Sequence, residues 1–396
     1  MNALARKKNE MKPSFEIADF GTTKYGEKAK KFTLRGAGGV ILFAVCLIIP
    51  LLQVLGQSDA TGAYDSKNAP IGILFDTDMV EDYDDVGALA LLHAFADEGK
   101  CRILASSSCT RDNSSVAMVE IINSYYGRGD IPTGCSKEIG VVGVTNPKDV
   151  ERRGHQKYVN MAKKYSKWVR HGNSNDALDS NLVYRKALAA EPDGSVIVCS
   201  VGFMTNMRRL LESKPDEISP LSGRELIAKK VRRYVAMAGK MPKGTEYNVQ
   251  HDAESARITF ATWPTEVVFV DYFAGRHVYC GRGVAEAKYD WQNPVKDIFA
   301  TCLPSREAVR GGKTWDRGEG GHSSWDELTV LVAVCGISPY FNAERGNFEV
   351  IDNSGANIWT PDIAGRHIRV TRAMSDDELG RTLDELIKRP PHQINF

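Results

Sequence analysis

From Ile71 onward the chain alternates short apolar runs with segments whose apolar residues recur every three or four positions. Ile71–Phe75, Arg102–Ser106, Ser195–Val201, Arg233–Met237 and Val267–Val270 are brief and mostly apolar, as expected of strands in a covered sheet. Between them, Val86–Phe95 sets Val86, Leu89, Leu92 and Phe95 along one helical face. Ser114–Tyr126, Met207–Glu212 and Ala253–Thr262 also read as helices. The alternation predicts an α/β fold: a mostly parallel, Rossmann-like sheet with helices on both faces. Asn347–Thr360 predicts a hairpin turning at Asn353–Gly355, with a helix after it. Ligands of such sheets bind beyond the carboxyl ends of the strands, and the Gly-rich stretch Gly311–Gly321 reads as a loop able to close over such a site.

The first 70 residues follow another pattern. Residues 1–35 carry nine Lys or Arg against four Asp or Glu, a basic tail. Gly36–Leu55 then runs for twenty residues without a charge, long enough to cross a bilayer as a helix. Positive charge before an apolar stretch places the tail in the cytoplasm and the rest of the chain beyond the membrane, periplasmic or secreted. The stretch serves either as a cleaved signal peptide or as a retained single-pass anchor. Residues 56–70 read as a linker, and residues 71–396 as the folded domain.

Charge and cysteine content narrow the picture further. The whole chain is nearly neutral at +1, so residues 36–396 are net acidic and offer no basic face for nucleic acid. Outside the apolar stretch there are seven cysteines with no C-x-x-C spacing, which disfavours zinc. Cys199 and Cys335 sit in apolar runs and are expected as buried thiols.

The chemistry concentrates after the first strand. ILFDTDMVEDYDD crowds Asp76, Asp78, Glu81, Asp82, Asp84 and Asp85 into ten positions, where like charges repel unless protons or a cation neutralise them. A calcium EF-hand loop is excluded: Val80 stands where an oxygen ligand is needed and Glu81 where glycine is needed. A phosphatase of the haloacid dehalogenase type would use Asp76 as nucleophile and Asp78 as acid or base. It would also need a late acidic pair, and VVFVDYFAG offers Asp271 alone. The remaining reading is one calcium ion held by carboxylates from this turn and from elsewhere in the chain.

Here a resemblance becomes specific. DTDMVEDYDDVGALALL resembles the signature of the nucleoside hydrolase family. NSSVAMVEIINSYYGRGDIPTG, VIVCSVGFMTNM, VAMAGKMPKGTEYNVQHDAESA and SSWDELTVLVAV resemble further family segments in the same order. The resemblance implies calcium-dependent hydrolysis of the N-glycosidic bond of a ribonucleoside in a homo-oligomer. It implies Asp78, Asp85, Asp326 and the Val201 carbonyl as calcium ligands, with Asp78 also taking the proton of the attacking water. Asp84, Glu246 and Asn248 would hold ribose, Met237 would line its face, and Asn113 would add a contact; Asp76 would support the turn. The family's histidine before the last aspartate is replaced by Trp325, which leaves His322, four residues before Asp326, as the expected leaving-group acid. A non-catalytic, calcium-stabilised nucleoside- or carbohydrate-binding protein on the same fold is the alternative implied by that replacement.

Overall fold

The computed structural model describes residues 70–138, 155–309 and 321–392, with two short strand pairs nearer the N-terminus. Those pairs join Ala18–Asp19 to Lys30–Lys31 and Leu34–Gly36 to Gly39–Ile41. The second takes in the beginning of the apolar stretch that the sequence reads as helical. Residues 42–55, the linker to residue 69 and most of the Gly-rich loop lie outside the described residues. Among the described residues, no helix is long and apolar enough to cross a membrane.

The central sheet is built from β1 (Ile71–Thr77), β2 (Cys101–Ser108), β3 (Thr133–Cys135), β4 (Leu178–Asp179), β5 (Val196–Ser200) and β6 (Val231–Met237). It continues through β7 (Lys243–Thr245), β8 (Glu266–Val270), β9 (Phe341–Val350), β10 (Ala356–Pro361) and β11 (His367–Arg372). Their spatial order is β7-β10-β9-β11-β8-β6-β5-β1-β2-β3-β4. The eight strands from β11 to β4 run parallel, and β9, β10 and β7 add an antiparallel edge. The predicted mostly parallel sheet is therefore present, and the predicted hairpin is β9–β10, closing through Gly355 at φ 77°.

Burial explains the strand pattern. All five residues of β5 are buried, as a strand covered on both faces requires. Leu74, Val198, Ala236 and Phe269, on four neighbouring strands, join one core cluster with Tyr184, Met207, Leu210 and Phe260 of the covering helices. Each such leucine, valine, methionine or phenylalanine contributes about 1.5–3 kcal/mol on burial. Side chains of opposite parity, such as Ile73 and Phe75, face the other layer, where helices Asp84–Asp97 and Trp325–Cys335 pack on each other. The helix Asp376–Ile387 follows the hairpin as expected, opened by a capping box between Ser375 and Glu378.

The order of the strands positions the site. From β1 the chain steps outward through β2, β3 and β4, then returns to the opposite side of β1 and continues through β5, β6 and β8. The carboxyl ends of β1 and β5 flank that reversal, the place where open α/β sheets bind ligands. Asp76 pairs with Ser200 in register, and the Val201 N–H donates to the Asp76 carbonyl at 2.8 Å. The acidic turn after β1 and the segment after β5 thus leave the sheet side by side. Their approach demands glycine at 202, since a Cβ there would lie 2.5 Å from the Asp78 nitrogen and 2.6 Å from Cys109 Sγ. Gly202→Ala is expected to cost roughly 1–3 kcal/mol of stability by forcing two backbones apart. Thermal melts of the variant test this, and an unchanged melting temperature would contradict the packing.

Candidate active site

The turn after β1 is held from below. Asp76 is fully buried, and its Oδ2 accepts from Tyr184 Oη at 2.6 Å and Asn206 Nδ2 at 2.8 Å. Burial pushes its carboxyl up to about 7 despite those bonds. Asp76 thus supports the turn, as the resemblance implies, and it cannot meet a substrate as a phosphatase nucleophile would. Asp271, the other residue that reading needs, accepts from Met241 N at 3.1 Å and does not line the cleft. The turn itself is strained: Val80 has φ 88°, a left-handed conformation that costs a β-branched residue about 1–3 kcal/mol. That geometry carries the chain around Asp78, whose carbonyl accepts from Glu81 N at 3.1 Å.

Three elements bring carboxylates together. Asp84 and Asp85 open the helix Asp84–Asp97, and Asp326 lies in the first turn of the helix Trp325–Cys335. Both helix N-termini favour negative charge, yet neither N-cap residue makes a side-chain cap. Oxygens of Asp84, Asp85 and Asp326 lie within 4.8 Å of one another. Asp78 lines the same cleft from the turn. Burial first, and then repulsion from Asp85, Glu81 and Asp84, raises Asp78 well above the usual carboxylate range. Asp326 is raised the same way by burial and by Asp84, Asp85 and Asp78. Asp85 rises to about 8 through burial, although Thr77 Oγ1 donates to it. An all-oxygen set of buried, mutually repelling carboxylates fits a hard divalent cation. The tight trio includes Asp84, which the resemblance assigns to ribose rather than to the cation.

The cleft above these groups has a volume of about 360 Å³. Its far wall comes from the segment after β6. Glu246 caps the short helix Tyr247–His251, its side chain accepting from Asn248 N, Val249 N and Gly239 N. Burial raises its carboxyl, and those three donors oppose the rise. Asn248 Nδ2 donates to the Val201 carbonyl at 2.9 Å and to the Met237 carbonyl at 3.2 Å, tying the ends of β5 and β6 together. Met237, Glu246, Asn248 and Val201 all line the cleft, so eight of the expected site residues converge on one place.

Two expected residues are not among those lining the cleft. His322 lies in a strand pair, Tyr279–Gly281 with Gly321–Ser323, that starts from Gly321 at φ 120°. The buried imidazole lies 4.4 Å from the Tyr83 ring, with Nε2 3.4 Å from Asp82 Oδ2 and a ring nitrogen within 4.8 Å of an Asp84 oxygen, beside the cleft but not among its lining residues. Asn113 belongs to the turn before the helix Ser115–Tyr125, where its carbonyl accepts from Ser174 N at 3.3 Å, outside the cleft lining. Glu81 and Asp82 of the acidic turn also line the cleft, as do Tyr247 and Tyr272. Tyr272 follows β8 at its carboxyl end, and strand-end position was the signal that could have singled it out. The buried Glu327 lies behind the acidic trio, where its Oε1 would clash with any Cβ at Gly87. The seven cysteines among the described residues are unpaired; Cys199 is buried as expected, whereas Cys335 is only half-buried.

Comparison with known proteins agrees with this fold. No curated protein matches the chain in sequence. The plant nucleoside hydrolase PpNRh1 superposes with a TM-score of 0.58 at 18% identity, over 81% of this chain and all of that one. The type III effector XopQ, solved with adenosine diphosphate ribose, gives 0.58 at 15%, over 82% and 95%. The inosine-uridine preferring nucleoside hydrolase of Bacillus anthracis gives 0.53 at 16%, over 80% and 99%. At such identities these likenesses establish the fold alone. The family model for inosine-uridine preferring nucleoside hydrolases matches residues 73–384, from β1 to the last helix. The chain therefore belongs to the inosine-uridine preferring nucleoside hydrolase family, enzymes that hydrolyse N-glycosyl bonds.

Proposed function

We propose that this chain is a calcium-dependent ribohydrolase that splits a ribonucleoside into ribose and free base. The observation that carries the reading is the convergence of Asp78, Asp84, Asp85 and Asp326 opposite Glu246 and Asn248 across one cleft. Asp78, Asp85, Asp326 and the Val201 carbonyl would hold the cation, with Asp84 alongside. When bound, calcium acidifies a coordinated water and orients ribose hydroxyls. Asp78 takes the proton of the attacking water, because it is the carboxylate that the turn brings to the cleft from β1. Asp84, Glu246 and Asn248 accept or donate hydrogen bonds to the ribose hydroxyls, and Met237 packs against the sugar face. Such contacts fix the ring for the oxocarbenium-like state of glycoside cleavage. The basic tail and the apolar residues 36–55 support action outside the cytoplasm, after cleavage of a signal or from a membrane anchor.

The full chain, incubated with inosine, adenosine, uridine and cytidine, is expected to release ribose, and a calcium chelator is expected to abolish the release. Turnover that survives complete chelation would contradict the metal's role.

A pH dependence follows from the raised carboxyls. Unfolded, these groups lose their protons near pH 4, whereas folded Asp85 keeps its proton to about 8. Between those values the metal-free folded state binds more protons than the unfolded one, so its stability falls as pH rises. The melting temperature of chelated protein should drop from pH 5 to pH 8, and the gain from added calcium should be larger at pH 8. A gain that is the same at both values would contradict the linkage.

A further inference from the structure

A base that leaves ribose carries its bonding electrons away on a ring nitrogen, and departs readily only if that nitrogen gains a proton. His322 is buried against Tyr83 with Nε2 3.4 Å from Asp82 Oδ2, and it is not among the residues lining the cleft. Trp325, immediately before Asp326, lines the cleft but has only an indole N–H, already donated to the Tyr272 carbonyl at 2.8 Å. Of the two phenols in the lining, Tyr247 is committed: its hydroxyl donates to Glu81 Oε2 at 3.0 Å.

Tyr272 is placed differently. It lines the cleft half-buried, and no hydrogen bond engages its hydroxyl among the described residues. Its ring stacks on Trp325 with centroids 5.8 Å apart and planes 24° apart. Its backbone N–H donates to the Gly239 carbonyl at 2.9 Å, and the Gly239 N–H donates to Glu246 Oε2 at 3.1 Å. One run of bonds therefore fixes Tyr272 between the sugar-side carboxylate and the residue next to Asp326. Lys240 Nζ lies 4.8 Å from the ring centroid and the Arg276 guanidinium 5.6 Å from it. Two cations thus hold the ring in place from its faces.

We propose that Tyr272 is the general acid that protonates the departing base, an inference that rests on the ribohydrolase reading. The C1′–N bond breaks with its electron pair passing to the base nitrogen, which takes the phenolic proton. Water adds its oxygen to C1′ and yields a proton to Asp78. Ribose and neutral base leave, Asp78 returns its proton to solvent, and the phenolate regains one, so only water is consumed.

Tyr272→Phe keeps the ring, the stacking and the backbone bonds while removing the proton donor. Its kcat/KM is compared with that of wild type on inosine and on p-nitrophenyl riboside, whose leaving group departs without protonation. The ratio of the two values should shift about 10²–10⁴-fold toward the nitrophenyl riboside. On inosine the loss should fall on kcat with KM near its wild-type value, which decides the matter if the nitrophenyl riboside is not turned over. Equal losses on both substrates, a loss confined to KM, or no loss would overturn the assignment while leaving the ribohydrolase reading intact. A wild-type enzyme that releases ribose from neither compound would overturn that reading itself, and the role of Tyr272 with it.

Discussion

Mutual repulsion among buried carboxylates is the constraint around which this molecule is arranged. Asp78, Asp84, Asp85 and Asp326 come from three elements and meet where desolvation and like charge both oppose ionisation. A fold assembled from local preference would separate them, since each buried, unneutralised charge costs several kcal/mol. The sheet holds them together instead. The strand order reverses between β1 and β5, and the glycine at 202 lets the two strand ends touch. The strained Val80 and the buried Asp76 with its two donors fix the turn that presents Asp78. Strain and buried charge of this kind are tolerated at functional sites because a ligand repays them there.

The second half of the site is built on a quieter principle, the satisfaction of buried polar groups. Glu246 meets three backbone donors, and Asn248 bridges the carbonyls of Val201 and Met237. These bonds lock the sugar-side wall to the ends of β5 and β6, so the two walls of the cleft stand on one rigid sheet. Gly239 extends the same network to Tyr272, and Tyr272 extends it to Trp325 beside Asp326. Groups that face one another across the cleft are thus joined through backbone bonds rather than through mobile side chains, which is how positioning within a few tenths of an ångström is kept.

How much of this could be read in the chain depends on whether a feature was local. The parallel strands were legible because burial on both faces leaves continuous apolar runs such as VIVCS. The antiparallel edge was legible only in its hairpin. β11 inserts between β8 and β9 through pairings with residues up to about a hundred positions away, which HIRVTR does not announce. In the site, six acids within ten residues are chemically conspicuous by themselves. Asp326 and the sugar-side residues have no such local mark and were reached only through the resemblance. The setting of His322 was not legible because sequence distance to Asp326 says nothing about rotation; the pairing of Gly321–Ser323 with Tyr279–Gly281 sets it beside Asp82 and Asp84. Tyr272 went unnoticed because a tyrosine after a strand is ordinary until its neighbours are known.

The most direct test is a calorimetric calcium titration of the full chain at pH 6.5, run in buffers of different ionisation enthalpy. Carboxyls raised as Asp85 is hold protons at that pH, and a cation bound among them must displace some. One equivalent of calcium should bind with measurable proton release, and Asp326→Asn should weaken both together. Binding without proton release, or no binding at all, would contradict the account of a repulsive carboxylate cluster resolved by a single cation.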